Sequence, residues 1–190
     1  MSRNPYLIDV PEHFDSERLT IQCPKPGDGA QLHAAVVESL IELRQFPASM
    51  MWATVQQSVA LSESYCREAY SKFLARSDLP FIIRRRDNGQ IIGATGLHNP
   101  DWTVPCFEVG FWRRTSASGH GFMTEATSGL IDFAVNRLEA KRLESLPDDA
   151  NIASCRLCER VGMTLEGTLR NERVAPDGSL RDTRLYAIVP

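Results

Sequence analysis

Ser116-Ala117-Ser118-Gly119-His120-Gly121-Phe122-Met123-Thr124-Glu125-Ala126 lies just beyond the apolar run Phe107-Glu108-Val109-Gly110-Phe111-Trp112. An apolar run that gives way to small residues and two glycines, and then to a helix-forming stretch, reads as strand, tight loop and helix. Gly119 and Gly121 can take backbone angles closed to other residues, and the first N–H groups of the succeeding helix lack intrahelical acceptors. Together they form an anion cradle, for which phosphate is the natural occupant. A single favourable charge at such a terminus is worth about 0.3–1 kcal/mol, up to ~2 when partly buried, so holding a polyphosphate takes several N–H groups converging at once.

On its own, Gly-x-Gly before a helix fits a plain strand-to-helix turn equally well. A dinucleotide-binding unit would add a third glycine and an acid about 20 residues on, and a P-loop would end in Gly-Lys-Ser/Thr; neither completion is present. The chain continues instead with a long amphipathic stretch to about Leu138, a short strand near Arg142–Leu146, then Asn151-Ile152-Ala153-Ser154 and Glu159-Arg160-Val161-Gly162-Met163. This order resembles the GNAT acetyltransferases, whose Gln/Arg-x-x-Gly-x-Gly/Ala loop holds the pyrophosphate of acetyl-CoA. Ser116–Gly121 matches that loop with Gly119 and Gly121 in the glycine places and Ser116 in place of the usual long polar residue. A serine brings no cation, so the resemblance assigns the phosphates to the amides of Ser116, Ala117, Ser118, Gly119, His120 and Gly121, with Arg114 or His120 for charge. It also runs the cofactor arm along Val109 and Phe111, past Phe122 and Met123, to Asn151 and Ser154.

Other stretches carry the same likeness. Glu17-Arg18-Leu19-Thr20-Ile21 is similar to the family's opening strand, and Arg84-Arg85 through Asp87-Asn88-Gly89-Gln90-Ile91-Ile92-Gly93 to its central hairpin. Glu166-Gly167-Thr168-Leu169-Arg170 and Pro176-Asp177-Gly178-Ser179 with Arg181-Asp182 are similar to the closing hairpin of the RimJ/RimL branch. The agreement in order runs from about residue 16 to 188. It implies residues 1–15 as an N-terminal arm and 16–190 as one acetyltransferase domain, with a mixed α/β fold whose central sheet is largely antiparallel and flanked by helices.

Periodicity gives a compatible outline. Glu17–Cys23 alternates as a strand, and Pro24-Lys25-Pro26-Gly27-Asp28-Gly29 breaks it. Leu32, Val36, Leu40 and Leu43 recur at helical spacing, and a second helix is expected over roughly Thr54–Ala75. Phe81–Arg86 and Gln90–Leu97 flank Asp87-Asn88-Gly89, a hairpin turn. Asn151 reads as the N-cap of a helix ending near Val161. Strands paired first as hairpins and later joined through helices imply a mixed sheet.

Composition sets limits. The chain has 190 residues, 43% of them apolar, and a formal net charge of −3, enough for one domain with a sizeable core and without the basic surface that nucleic acid asks for. Arg84-Arg85-Arg86 reads as solvated strand or turn charge. No apolar run reaches the ~18 residues of a membrane span and no charged-then-apolar leader is seen, so a cytoplasmic protein is expected. Cys23, Cys66, Cys106, Cys155 and Cys158 have no regular spacing, which argues against a disulfide framework. Cys155-x-x-Cys158 supplies two of the four ligands of a structural zinc site, so no metal is expected. By the resemblance, Cys158 stands where many relatives carry a tyrosine that reprotonates the CoA thiolate.

Acetyl transfer from a thioester to an amine needs a neutral nucleophile, a donor for the developing oxyanion and a proton for the thiolate. An α-amine with pKa near 7.7–8.0 costs about 1 kcal/mol to deprotonate at pH 7, against roughly 4.6 kcal/mol for a lysine near 10.4. Glu108 is the one acid within the apolar strand run and is the candidate base; the alternative is a solvated strand residue paired with an arginine. The resemblance makes Ser154 the group at the thiolate sulfur, with a cap or packing role as its rival. Asn151 would orient the pantetheine arm or serve only as a cap, and an N–H near Val109 would meet the oxyanion. Phe46–Trp52, with Pro47, Met50 and Met51, is expected beside the acceptor; Trp102 and Trp112 suit core or cleft alike. The acceptor is expected to be an amine, a protein or peptide N-terminus before a polyamine, antibiotic or amino acid, and the protein a monomer or homodimer. A catalytically silent acyl-CoA sensor and a nucleotide-binding protein are the rival classes.

Overall fold

The computed structural model describes residues 4–190. One eight-stranded sheet organises them, in the order β1-β2-β3-β4-β5-β6-β8-β7. The strands are β1 (His13–Asp15), β2 (Leu19–Gln22), β3 (Leu79–Arg85), β4 (Ile91–Asp101), β5 (Cys106–Arg113), β6 (Arg142–Ser145), β7 (Thr164–Val174) and β8 (Leu180–Ile188). Every pairing is antiparallel except β5 with β6, so the sheet is mixed and largely antiparallel, as expected. Strand β1 lies within the stretch expected as an arm and pairs with β2 through Phe14 and Ile21.

Four helices cover the faces: α1 (Gly29–Leu43), α2 (Val59–Leu74), α3 (Phe122–Leu138) and α4 (Ile152–Arg160). Side chains alternate across a strand, and the buried residues divide accordingly. Phe81, Ile83, Leu97, Phe107 and Val109 join Phe122, Ala126, Leu130 and Ala134 of α3 in the main core. Ile82 and Ile91 pack with Leu32, Ala35, Val36 and Cys66 of α1 and α2, with Trp112 against them. The functional consequence is that Phe107 and Val109 of β5 face α3, whereas Glu108, Gly110 and Trp112 face the α1 and α2 side.

Several boundaries differ from expectation for identifiable reasons. Helix α2 begins at Val59 instead of Thr54, because Ser58 caps it by accepting the Leu61 N–H at 3.1 Å. Met51–Ala53 forms a single 3₁₀ turn before it. Strand β4 runs on to Asp101, past the expected end at Leu97, with an irregularity in register between His98 and Asp101 and a positive φ of 49° at Asn99. Gly89 closes the β3–β4 hairpin with φ 70°, and Gly178 serves the β7–β8 turn with φ 85°. No helix among the described residues is long and apolar enough to cross a membrane, and no group of three or more His, Cys, Asp or Glu suited to a metal ion occurs among them.

Candidate active site

Strand β5 delivers the chain to the glycine loop. After Arg113 a single 3₁₀ turn, Thr115–Ala117, tucks Ala117 into the core, and Gly119 and Gly121 come next with φ of 78° and 76°. Both angles lie in the left-handed region that favours glycine. Gly121 is the N-cap of α3, and no side chain caps that terminus, so its first amides stay available. A Cβ placed on Gly119 would meet no protein atom within 4 Å; the space in front of the loop is open. Ser116, Ser118, Gly119, His120 and Gly121 are exposed, Met123 is half-buried, and Phe122 turns its ring into the core.

Several basic side chains lie near the loop, and Arg18 and Arg85 join Arg114 and His120. Arg114 is committed to α1, its Nε donating to Glu38 at 2.6 Å and its Nη1 to the Ile91 carbonyl at 3.4 Å. His120 stacks on Phe122, ring centroids 5.5 Å apart. Arg18 and Arg85 approach instead, lying 4.6 and 5.4 Å from the centre of the Phe122 ring. Arg18 donates to the His120 carbonyl at 3.0 Å and pairs with Glu125 at 2.7 Å. Arg18 immediately precedes β2 and Arg85 ends β3; both are distant in sequence from the loop, and nothing in the sequence around them points to it. Ser116 also departs from expectation: its N–H donates to Glu38 at 2.9 Å.

Beside the loop the sheet opens. Strands β5 and β6 pair only at Cys106–Arg142, Phe107–Leu143 and Glu108–Glu144. Strand β6 ends at Ser145, whose Oγ donates to the Val109 carbonyl at 2.9 Å, while β5 continues to Arg113 paired with β4 alone. The edge of β5 from Gly110 onward is thus free of a β6 partner, which leaves a gap in the sheet beside Val109 and Phe111. Asn151 caps α4 by accepting the Ser154 N–H at 3.1 Å, so the cap expected of it is present. Cys158 is fully buried beside Ser145, and burial pushes its thiol up to about 11. It does not line the gap.

On the opposite face, Glu108 accepts a hydrogen bond from Asn99 Nδ2 at 2.8 Å. Its partner across β4 is His98, which the expected strand end at Leu97 left out. His98 Nδ1 lies 2.7 Å from Asp78 Oδ1, so Asp78, the residue just before β3, stands in a row with His98 of β4 and Glu108 of β5. Trp112 lies further along this face and meets Trp52 at 5.8 Å between centroids, which brings the Phe46–Trp52 segment to it. Arg44 fixes that segment by donating to the Ala53 carbonyl at 2.8 Å, and Arg173 reaches Ser49 at 3.0 Å. Trp102 belongs to the core, its Nε1 donating to the Arg76 carbonyl at 2.9 Å and its ring edge-on to Phe107.

The fold has known counterparts. The chain superposes with a TM-score of 0.86 on a structure of the microcin C7 self-immunity acetyltransferase MccE in complex with acetyl-CoA and AMP, at 21% identity over 95% of this chain and 98% of that one. With RimL, the ribosomal L7/L12 α-N-protein acetyltransferase in complex with coenzyme A, the TM-score is 0.85 at 18% identity over 94% and 98% of the two chains. At these identities the likeness concerns fold. In sequence the chain is 26% identical over 159 residues to YdaF of Bacillus subtilis (strain 168), which carries a provisional name as a ribosomal N-acetyltransferase, covering 82% of this chain and 83% of that one. It is 24% identical over 136 residues to the uncharacterized N-acetyltransferase YoaA of the same organism, covering 72% and 74%. The family model for the acetyltransferase (GNAT) domain matches residues 18–164, from the start of β2 to the start of β7, and the chain belongs to this family of acyl-transferring enzymes.

Proposed function

We propose that the protein transfers the acetyl group of acetyl-CoA to the α-amine of a peptide or protein N-terminus, by direct attack in a ternary complex. The observation that carries the reading is the conjunction of an uncapped α3 terminus behind two left-handed glycines with the free edge of β5 next to it. The amides from Ser118 to Met123 would hold the pyrophosphate, with Arg18 and Arg85 as the nearest cations in place of Arg114. The arm would lie along Val109 and Phe111, where an amide left without a strand partner can donate to the carbonyl oxygen as charge develops on it. Acetyl-CoA supplies the activated acyl group. Ser154, at the start of α4, is the proposed partner of the departing sulfur, and Asn151 keeps that helix start in position through its cap.

The acceptor side is the face of Glu108 and Trp112. A carboxylate there draws in the ammonium form of an amine and favours its approach to the β5 edge. An α-amine gives up its proton at pH 7 for about 1 kcal/mol, which suits a site with modest basic groups. The relatives named for ribosomal acetylation support this class of acceptor, and a cytoplasmic setting goes with it. The test is calorimetry with acetyl-CoA, CoA, ATP and NAD, then thiol release with a panel of short peptides bearing free α-amines, polyamines and amino acids. Selective binding of acetyl-CoA with peptide-dependent thiol release is expected. Release with small amines alone would reassign the acceptor, and absence of CoA binding would overturn the reading.

A further inference from the structure

We propose that His98, with its ring positioned by Asp78, is the group that takes the proton from the attacking amine, so that Glu108 acts as the flanking charge and not as the immediate base. The inference rests on the acetyl-transfer reading and concerns the acceptor side of that same site.

The ring occupies a place the backbone has been cleared for. A Cβ on Gly96 would come within 2.7 Å of His98 Cε1 and Nε2, and one on Gly110 within 2.8 Å of Cδ2 and 2.9 Å of Nε2. Gly96 and Gly110 are register partners on β4 and β5, so the imidazole lies across a floor of two facing glycines. Its Nε2 sits over that pair, on the same sheet face as Glu108 and on the way to Trp112, the next partner pair but one along β5. Any larger residue at either position would displace the ring.

The hydrogen bond fixes which nitrogen is available. Asp78 Oδ1, 2.7 Å from Nδ1, accepts the Nδ1 proton, leaving the Nε2 lone pair free in the neutral ring. The side chain is 35% exposed, so the ring is open in part to the acceptor side. Burial is the largest single influence on its protonation and works against the charged ring, but the hydrogen bond and charge of Asp78, with the charge of Glu108, outweigh it and raise the pKa above the ordinary histidine value of 6.5. On the α2 side Tyr65 stands near Asp78, its phenol pushed up by burial and by that carboxylate. A base raised from 6.5 is well matched to an α-amine near 7.7–8.0. Glu108 already accepts from Asn99 and is placed to hold the imidazolium by charge.

The step balances with the groups named. The ammonium passes one proton to Nε2, and the neutral amine nitrogen bonds to the thioester carbon; the C–S bond breaks, the sulfur leaves with the electron pair, and the second proton, which the nitrogen loses on becoming an amide, passes to the sulfur by way of water or the Ser154 hydroxyl to give the free thiol. The imidazolium returns its proton to solvent, ready for the next ammonium.

The test uses the whole chain and reads thiol release from acetyl-CoA with the best peptide of the panel. His98→Gln is expected to lower kcat/KM by about 100-fold or more, within the range of general-base loss, to remove the acidic limb of the kcat/KM profile, and to leave acetyl-CoA affinity within about twofold. His98→Ala is expected to regain activity with added imidazole, which a merely structural histidine would not allow. Asp78→Asn is expected to move the acidic limb to lower pH, and an NMR titration of the acceptor-free protein should place the wild-type ring above 6.5 and the Asp78→Asn ring below it. A His98→Gln profile and rate equal to the wild type would overturn the assignment while leaving acetyl transfer intact. A wild type that binds acetyl-CoA and releases no thiol with any amine would overturn the underlying reading instead.

Discussion

The Glu38 carboxylate of α1 receives the Ser116 N–H at 2.9 Å, and through its other oxygen the Arg114 guanidinium at 2.6 Å. One acid thus anchors the entrance of the glycine loop and neutralises the cation nearest to it in sequence. Burial alone would raise the Glu38 pKa, but the Ser116 and Arg114 hydrogen bonds hold it below the usual carboxylate value. Two effects are therefore separable. Glu38→Gln keeps an acceptor for Ser116 and releases Arg114 towards a bound pyrophosphate, so acetyl-CoA affinity should hold or rise. Glu38→Ala removes the anchor, leaves donors unpaired and should cost about 1–3 kcal/mol of stability. Calorimetry with acetyl-CoA and thermal melts of both variants check the pair; equal behaviour of the two would remove the anchoring role.

Gly119 and Gly178 share a left-handed backbone, with φ of 78° and 85°, and a Cβ at either meets no protein atom within 4 Å. The strain of a β-branched residue is therefore comparable at the two sites, of order 1–3 kcal/mol. Only Gly119 faces the proposed pyrophosphate. Gly119→Val should weaken acetyl-CoA binding more than tenfold, or about 1.4 kcal/mol, whereas Gly178→Val should lose similar stability with unchanged affinity. Equal affinities in the two variants would remove the loop from the cofactor site.

The contrast between these residues shows what was legible in the sequence. Gly119 and Gly121 announce themselves, because a left-handed loop before a helix leaves a local pattern, and so do the Asp87-Asn88-Gly89 turn, the Asn151 cap and the apolar run of β5. Arg18 and Arg85 leave none: they reach Phe122 through the pairing of β2 with β3 and the packing of α3. His98 was hidden differently. Alternation weakens after Leu97, where Asn99 turns to positive φ and Pro100 comes next, so the strand reads as finished just short of His98, although it runs on to Asp101. Its Asp78 partner lies beyond a whole hairpin, and the glycine floor makes sense only once Gly96 and Gly110 are known to face each other.

Asp148 is almost fully buried, and Arg181 grips it with two hydrogen bonds of 2.9 and 2.7 Å. The same carboxylate accepts the Ala150 N–H at 2.9 Å, and the Asp148 carbonyl accepts the Asn151 N–H at 2.8 Å, which ties the start of α4 to β8. The Arg181 hydrogen bond leads the influences that hold its pKa below 3.8. A depressed carboxyl pKa contributes stability that is complete above the unfolded value and is lost as pH falls through the lower folded value. Asp148→Asn should therefore cost about 1–3 kcal/mol near neutral pH, nearer the lower figure because Arg181 keeps some hydration, and the gap to the wild type should narrow below about pH 4. Urea unfolding at pH 7 and pH 3 checks this; a gap independent of pH would assign the loss to packing.

Gly96→Ala isolates the geometry on which the proton transfer depends, since it leaves every titratable group in place. The added Cβ would approach the His98 ring to 2.7 Å and the Leu79 carbonyl to 3.3 Å, and the ring is the element able to move. Swinging it away stretches the 2.7 Å contact with Asp78, and the raised pKa of His98 should fall with it. Turnover should then drop at least tenfold, with the acidic limb displaced to lower pH, while the thiol-side gap beyond β5 and acetyl-CoA affinity stay as they are. Removing the ring as well should add little: the Gly96→Ala, His98→Gln pair should be scarcely slower than His98→Gln alone, because both changes act on one interaction. Independent, multiplying losses would mean that Gly96 serves the site by some route other than making room for His98.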